Sequence, residues 1–274
     1  MTYEKLLSEV KKISPGDFIA ESMLILTSLF EVAPAYIMAH PERDYGKEKI
    51  TEVLRRRKNG EPIQYILGKQ EFMGLEFSVS PACLIPRQDT EVLAERAIKE
   101  AKCGYDIADF CTGSGCIGIS VLKMTDAKRM LFADISCGAL EIARKNAASN
   151  GVIDRADFLQ TDIMKELPDK KFDMILSNPP YIPTADIEKL SHEVKSEPKI
   201  ALDGGGDGLD FVKRLVFDYT AYLKKDGVML IEFGYDQGRK ISNIAEKART
   251  AGLISSFEII KDYGGNDRVL AVKK

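Results

Sequence analysis

The chain has 274 residues, a formal net charge of −3, 45% hydrophobic residues and 30% charged residues. This length suits one large domain or two unequal ones, and the composition is that of an ordinary globular protein. Because there is no excess of positive charge, tight nucleic-acid binding is disfavoured, and no direct nucleic-acid binding is expected. With only two histidines, no metal site is expected either.

The cysteines and the amino terminus bear on location. Five cysteines without CxxC spacing predict reduced thiols, which are typical of the cytoplasm. The amino terminus is polar and helical in character rather than that of a signal peptide, and the apolar runs are far shorter than a membrane span. The sequence therefore predicts a soluble, cytoplasmic protein with no membrane attachment.

Residues 1–60 are predicted to form a small helical domain. Apolar side chains recur there at helical spacing, and the stretch 14–17, which contains proline and glycine, interrupts the pattern. The spacing predicts helices over residues 6–13, 18–32, 35–39 and 47–58.

A basic run closes the last of these helices. It extends from Arg55 to Lys58 and is followed by Asn59-Gly60, a good helix stop. We interpret the run as a solvated helix end that complements the helix dipole. A patch that faces phosphate or RNA is the less favoured alternative.

Residues 61–80 are predicted to be a β-hairpin connector, with strands at 64–68 and 75–79. An extended segment then enters a helix, for which Asp89 or Thr90 would provide the cap. Arg87 in this segment is either an ordinary surface charge or, beside a site, a donor that positions substrate.

From residue 81 to 274, strands and helices alternate as in a doubly wound, Rossmann-like α/β domain. Strands are predicted over 106–110, 130–134, 156–160, 172–177, 228–233, 256–260 and 268–272, the last two as an antiparallel pair. Helices are predicted over 115–124, 137–148, 208–223 and 236–251. The glycine-rich stretch 203–208 is predicted to be a flexible loop, either a linker or a lid.

A glycine-containing loop follows the first strand of this domain and opens a helix. Glycines there permit a tight turn and a close approach of the backbone to a ligand. The loop consists of Cys111, Thr112, Gly113, Ser114 and Gly115. The second strand ends in Asp134, which is placed to accept hydrogen bonds from ribose hydroxyls, and the third is followed by Asp162, which could meet the amine of an adenine. Together these features predict a ligand that contains adenosine.

A rigid turn ends the fourth strand: Asn178-Pro179-Pro180-Tyr181. The two prolines fix φ and lack an N–H, so the turn is stiff. At the carboxyl end of a buried strand, where open α/β sheets bind ligands, Asn178 Oδ1 and the Pro179 carbonyl form a fixed pair of acceptors. Such a pair suits a planar –NH2 group, which has two donors.

Two cofactors compete for the glycine loop. The spacing of Gly113, Gly115 and Gly118 also satisfies the dinucleotide fingerprint, which would indicate an NAD-dependent oxidoreductase. That interpretation leaves Asn178 and its prolines unexplained. S-adenosylmethionine explains both halves, because its methyl would point toward the end of the fourth strand.

On these residues the sequence resembles the S-adenosylmethionine-dependent methyltransferases with an Asn-Pro-Pro-Tyr motif, which act on planar amino groups. Further stretches are similar to the peptide-chain release factor glutamine methyltransferases (HemK/PrmC type). They are residues 60–68, 84–87, 89–91, 197–198 with 201–202, and 203–209. The resemblance covers essentially the whole chain and implies a helical amino-terminal domain that recognises the substrate protein.

The resemblance also implies roles for individual residues. Cys111 to Gly115, Asp134 and Asn178 would contact S-adenosylmethionine, and Ile163 would lie beside the adenine with Asp162. Asn178 to Tyr181 would hold the glutamine of the Gly-Gly-Gln loop of a class 1 release factor. Cys111 stands where these loops usually carry glycine, so its backbone must avoid a positive φ or accept strain.

Three other functions stay open. They are methylation of a glutamine in a ribosomal protein, methylation of an amino group in nucleic acid, and binding of S-adenosylmethionine without catalysis. The charge balance disfavours the nucleic-acid substrate, and a binding module would have no use for the rigid acceptor pair.

Overall fold

The computed structural model describes residues 1–14 and 16–274, so Pro15, part of the predicted break after the first helix, lies outside the described residues. The chain divides into two compact units. We call Met1–Lys69 with Ser191–Ser196 the helical unit, and Gln70–Leu190 with Glu197–Lys274 the sheet unit. The α-helices of the described residues are α1 (Tyr3–Ile13), α2 (Phe18–Phe30), α3 (Pro34–Ala39), α4 (Lys47–Lys58), α5 (Ile63–Leu67), α6 (Glu91–Glu100), α7 (Cys116–Met124), α8 (Cys137–Ser149), α9 (His192–Lys195), α10 (Asp210–Asp218) and α11 (Gly238–Thr250).

The strands form a two-stranded sheet and a seven-stranded sheet within the described residues. They are β1 (Lys69–Phe72), β2 (Leu75–Ser78), β3 (Asp106–Phe110), β4 (Arg129–Asp134), β5 (Ala156–Gln160), β6 (Phe172–Ser177), β7 (Leu223–Glu232), β8 (Ser256–Lys261) and β9 (Asp267–Lys273). The large sheet has the order β5-β4-β3-β6-β7-β9-β8. Strands β3 to β7 are parallel, and β9 pairs antiparallel with both β7 and β8.

Two apolar layers cover the two faces of the large sheet, since successive side chains of a strand point to opposite faces. One layer includes Ile107 of β3 with residues of α6, α7 and α8, such as Leu93. The other includes Ala108 of β3 with residues of α10 and α11, such as Leu215 and Ile244. The predicted fold class, a Rossmann-like α/β sheet with a helical amino-terminal domain, is confirmed, as is the antiparallel pair β8–β9.

The predicted strand at residues 64–68 is wrong. The chain forms α5 there, which begins after Pro62 and ends at Gly68 with φ +74°. A glycine in the left-handed region is a common helix end, and a short apolar run does not distinguish a strand from a helical turn. The hairpin itself begins later, with β1 and β2 joined through Met73 and Gly74, both at positive φ.

The basic run at the end of α4 is only partly solvated, which corrects its interpretation as an exposed helix end. Arg57 is 6% exposed and its guanidinium binds Glu21 at 2.8 Å and Glu193 at 2.7 Å. Arg56 pairs with Glu61, at 2.7 Å for Nε to Oε2. These arginines hold the helical unit together, and a guanidinium tied to carboxylates is poorly placed to bind phosphate.

Two absences concern only the part of the chain that the structure describes. No helix there is long and apolar enough to cross a membrane. No group of three or more His, Cys, Asp or Glu side chains there is arranged to hold a metal ion.

Candidate functional site

The carboxyl ends of five neighbouring parallel strands meet at one edge of the large sheet. The register pairs Phe110 with Ala133 and with Ser177, so the next residues, Cys111, Asp134 and Asn178, lie side by side. Ser177 in turn pairs with Ile231, which places Glu232 next to Asn178. The topology thus brings the glycine loop, Asp134 and the Asn-Pro-Pro-Tyr turn to one edge, as open α/β sheets do at their ligand sites.

A cavity opens at this edge. Most of the residues predicted to bind the cofactor line it: Cys111, Thr112, Gly113, Ser114, Asp134, Asp162, Ile163 and Asn178. Arg87 and Pro180 line it as well. Other parts of the wall were not predicted from the sequence; they include Leu84, Thr90, Ser136, Ile200 and Phe211. Gly115, Pro179 and Tyr181 are not among the lining residues.

The glycine loop is held from below by Asp109, which the sequence analysis did not single out. Asp109 is fully buried, and its Oδ2 accepts from Thr112 Oγ1 at 2.6 Å and from the Gly118 N–H at 3.2 Å. Burial raises the pKa of Asp109 to about 7. Its Oδ1 has no hydrogen-bond partner within the described residues. A carboxylate between Ala108 and Phe110, at a position next to the glycine loop, was the available signal.

Cys111 adopts the strained one of its two expected conformations. Its φ is +58°, in the left-handed region that disfavours any residue with a Cβ. Gly113 and Gly115 also have positive φ, +56° and +80°. Nothing lies within 4 Å of the position that a Cβ of Gly113 would take, so the backbone there borders open space. Burial raises the pKa of the Cys111 thiol, which is therefore uncharged.

Asp134 is fixed by two backbone donors. Its Oδ2 accepts from the Gly113 N–H and its Oδ1 from the Ser136 N–H, each at 2.9 Å. Burial nevertheless raises the pKa of this carboxyl. The next acidic residue, Asp162, is different, because its hydrogen bond with Lys165 lowers its pKa. The charge of Asp162 is thus partly neutralised by Lys165. Asp134 has no such cation, and its remaining lone pairs can accept hydrogen bonds from a ligand in the cavity.

The Asn-Pro-Pro-Tyr turn divides between the cavity and an adjoining depression. Asn178 donates through Nδ2 to Thr90 Oγ1 at 3.3 Å, and no hydrogen bond to its Oδ1 is present among the described residues. Thr90 is the N-cap residue of α6, as predicted, but its side chain makes no capping hydrogen bond. Tyr181 lines the adjoining depression instead, and its hydroxyl donates to Glu232 Oε1 at 3.4 Å. Arg87 borders both spaces.

Hydrogen bonds join the glycine-rich loop 203–208 to this turn, and its role as a linker or a lid stays a prediction. The Gly204 N–H donates to the Ile182 carbonyl at 2.8 Å, and a Cβ on Gly204 would lie 2.7 Å from Tyr181 Cα. Gln237 donates to the Tyr181 carbonyl at 2.9 Å. Only glycine permits such a close approach of the backbone at Gly204 to Tyr181, so the loop packs against the turn and stabilises it.

Arg87 is held by Glu197, which the sequence analysis placed in a motif without a role. The Glu197 carboxylate is buried, pairs with the Arg87 guanidinium and accepts from the Ile85 N–H at 3.0 Å. Burial raises the pKa of Glu197, and the Arg87 charge opposes that rise. The pair fixes the segment from Ile85 to Arg87 along the cavity.

The charged residues that line the cavity fit S-adenosylmethionine better than a dinucleotide. Its charged lining residues are Asp134, Asp162 and Arg87, and Glu197 already neutralises Arg87. Carboxylates favour a cationic ligand with ribose hydroxyls, whereas a pyrophosphate would need unpaired cations or free backbone donors. Ile163 and the other apolar wall residues suit an adenine ring.

Two family models match the chain. The model of the Methyltransferase small domain matches residues 88–232, and that of the PrmC N-terminal domain matches residues 7–68. The first match includes the glycine loop and the strands that carry Asp134 and Asn178.

Curated relatives cover most of the chain. It is 42% identical over 219 residues to the release factor glutamine methyltransferase of Moorella thermoacetica. The aligned region covers 79% of this chain and 76% of that protein. It is 36% identical over 273 residues to the release factor glutamine methyltransferase of Clostridium botulinum, over 97% of this chain and 95% of that protein.

Solved structures share the sheet. The crystal structure of ribosomal protein L11 methylase from Lactobacillus delbrueckii subsp. bulgaricus has a TM-score of 0.50 at 25% identity, over 71% of this chain and 82% of that chain. A methyltransferase from Pyrococcus furiosus has a TM-score of 0.56 at 20% identity, over 74% of this chain and 90% of that chain, which shows a likeness of fold.

Proposed function

The chain belongs to the family of release factor glutamine methyltransferases, and on that premise we propose that it methylates the glutamine of the Gly-Gly-Gln loop in class 1 release factors. It is an S-adenosylmethionine-dependent protein-glutamine N-methyltransferase. The observation that most directly supports a glutamine amide as the methylated group is the orientation of the Asn178 side chain. Its –NH2 donates to Thr90, so its Oδ1 can accept a hydrogen bond from a substrate.

The nucleophile of the reaction is the amide nitrogen of the substrate glutamine. It is a poor nucleophile by itself, because its lone pair is delocalised. Asn178 Oδ1 and the Pro179 carbonyl would each accept one N–H of the substrate glutamine and so fix its nitrogen. The same two oxygens favour the positive charge that develops on this nitrogen during transfer. S-adenosylmethionine, when bound, supplies the electrophilic methyl group.

Orientation carries most of the acceleration in this scheme. Well-placed reactants lower a barrier by up to roughly 7–11 kcal/mol. The backbone here is suited to this task, since Pro179 and Pro180 are buried and Gly204 packs against the turn. The methylated nitrogen is acidic and loses its proton afterwards, so no general base is required.

We assign the cofactor to the cavity, and we assign the glutamine to the adjoining depression with its amide reaching into the cavity at Asn178. Asp134 would accept hydrogen bonds from the ribose hydroxyls, and Asp162 and Ile163 would lie at the adenine. Tyr181, Pro180 and Arg87 would surround the incoming glutamine and exclude water from it. Support comes from the positions of these side chains, because Arg87 and the Asn-Pro-Pro-Tyr turn border both spaces.

The helical domain, residues 1–60, would recognise the body of the release factor, and residues 61–80 would connect it to the methyltransferase domain at 81–274. A cytoplasmic location, where release factors meet ribosomes, belongs to the same proposal. If residues 1–59 can be deleted without loss of activity on a full-length release factor, the recognition role is wrong.

The test is incubation of the purified protein with methyl-labelled S-adenosylmethionine and a class 1 release factor. We expect label in the native Gly-Gly-Gln protein and none in a Gly-Gly-Ala variant. Equal labelling of the two proteins would contradict the glutamine assignment. Labelling of ribosomal proteins but not of the release factor would favour the ribosomal alternative.

A further inference from the structure

We infer that Glu232 is a positioning residue that acts through the Thr90 hydroxyl to hold the Asn178 amide with its oxygen toward the substrate. The inference rests on the proposed function, because it explains how the acceptor of the glutamine N–H is oriented. It assigns a role to a buried carboxylate on β7 that the transfer scheme itself does not use.

The sheet brings the three residues together. Ser177 and Ile231 are paired across β6 and β7, so Asn178 and Glu232 follow one another across the same edge. Thr90 comes from the start of α6, is 2% exposed and accepts the hydrogen bond from Asn178 Nδ2. Its hydroxyl also lies close enough to the Glu232 carboxyl to lower the pKa of that group, although no hydrogen bond joins the two within the described residues.

Glu232 needs a donor of this kind. It is 1% exposed, and although Tyr181 donates to its Oε1, its Oε2 has no hydrogen-bond partner within the described residues. A buried carboxylate oxygen without a donor is costly. The Thr90 hydroxyl has one proton, and while it accepts from Asn178 that proton is available for Glu232.

This arrangement decides which way round the Asn178 amide lies. A carboxylate accepts and cannot donate, so beside it the Thr90 proton points to Glu232 and the Thr90 lone pair faces Asn178. Asn178 must then turn its –NH2 to Thr90 and its oxygen to the cavity. Without the carboxylate, Thr90 is free to donate to Asn178, and the flipped amide would present N–H groups to the N–H groups of the substrate.

The charges around Glu232 make the arrangement sensitive to pH. Arg268, Asp89, Tyr181 and the Cys116 thiol face it. Burial raises the pKa of Glu232 to about 7, despite the opposing effect of Arg268. A protonated Glu232 can donate to Thr90 and so permits the flipped amide, which means that the productive orientation is favoured as pH rises through about 7.

Kinetics on a release factor give the first test. We expect Thr90→Val and Glu232→Gln each to lower kcat at least tenfold while the Kd for S-adenosylmethionine changes less than twofold. Thr90→Ser keeps the hydroxyl and should retain near wild-type kcat. The double variant Thr90→Val/Glu232→Gln should be no slower than the slower single variant, since the two residues act as one unit. Full multiplication of the two losses, or equal loss in Thr90→Ser and Thr90→Val, would overturn the inference.

A second test needs no substrate and is independent of the proposed function. The side-chain 15N resonance of Asn178, assigned by its loss in Asn178→Asp, should titrate with a midpoint near pH 7 in the wild type and in Thr90→Ser. In Thr90→Val and Glu232→Gln the titration should vanish. An unchanged titration in Thr90→Val refutes the coupling whether or not release factors are substrates, whereas a wild type that titrates but methylates no release factor leaves the coupling intact and refutes the proposed function.

Discussion

The Gly113 N–H donates to Asp134 Oδ2 at 2.9 Å, which links two loops that lie 21 residues apart in the sequence. The glycine loop and the carboxylate after β4 are therefore set relative to each other before any ligand arrives. A ligand that uses both gains from this preorganisation, because their mutual arrangement costs nothing further on binding.

Asp134→Asn should weaken cofactor binding. An asparagine has one oxygen and cannot accept from both Gly113 and Ser136 while it also accepts from a ribose, so one buried donor loses its partner at a cost of about 1–3 kcal/mol. Titration calorimetry should show Kd values for S-adenosylmethionine and S-adenosylhomocysteine raised by roughly 10- to 100-fold. Asp126→Asn, at an exposed position, is the matched control. Unchanged affinity in Asp134→Asn would remove this residue from the cofactor site.

Asn178→Ala should abolish transfer much more than it weakens cofactor binding. Loss of one acceptor for the developing charge should lower kcat by about 10²- to 10³-fold, as loss of a comparable electrostatic contact does in other enzymes. Single-turnover labelling of a release factor measures this, and Asn243→Ala, at an exposed position on α11, should leave the rate unchanged. Near-normal turnover in Asn178→Ala contradicts the role of its oxygen.

Cys111→Gly should be more stable than Cys111→Ala by roughly 1 kcal/mol, because alanine keeps the Cβ that is strained at φ +58° and glycine does not. Both variants lose the thiol, so their difference isolates the backbone effect. At Lys145, an exposed position inside α8, the order should reverse by about 0.5–1 kcal/mol. Urea unfolding of the four variants measures both differences, and the same order at both positions would contradict strain at Cys111.

Asp109→Asn should flatten the pH dependence of stability. The folded protein holds a proton on Asp109 up to a pKa of about 7, whereas the ordinary value is 3.8, so between these pH values the folded state binds more protons than the unfolded state. The free energy of unfolding consequently falls as pH rises across this window, by up to about 1.4 kcal/mol per pH unit.

The measurement is urea unfolding at pH 5 and pH 7.5. The loss of stability between them should be about 2 kcal/mol smaller in Asp109→Asn than in the wild type. Asp154→Asn, at an exposed position, should behave like the wild type. If the free energy of unfolding changes between these pH values by the same amount in the wild type and in Asp109→Asn, a buried, protonated Asp109 is ruled out.

Arg57→Ala should destabilise the helical unit by about 3–5 kcal/mol, because it leaves the nearly buried Glu21 without its counter-charge. Arg55→Ala removes an exposed pair with Glu52, which solvent screens, and should leave the melting temperature close to that of the wild type. Thermal unfolding followed by circular dichroism compares the two. Similar melting curves for both variants would restore the interpretation of the basic run as a solvated helix end.

Prediction from the sequence worked best where the signal was local. The strand that ends at Phe110 and the helix that begins at Cys116 follow from hydrophobic periodicity and one glycine loop. It failed at residues 64–68, where five residues are too few to separate a helical turn from a strand. It also failed for Arg57, because nothing in its neighbours shows that Glu21 and Glu193 will surround it.

By itself the sequence determined the strands of the large sheet in chain order, the glycine loop, Asp134 and the stiff turn at Asn178, since each depends on residues adjacent in the chain. Only the tertiary structure decided the partners: Asp109 beneath the glycine loop, Glu197 on Arg87, and Thr90 and Glu232 beside Asn178. The contacts of Glu197 and Thr90 join residues that are distant in sequence, and the register of β6 and β7 places Glu232 beside Asn178. Burial then shifts the pKa of each carboxyl, and burial is a property of the packed chain rather than of any short stretch of it.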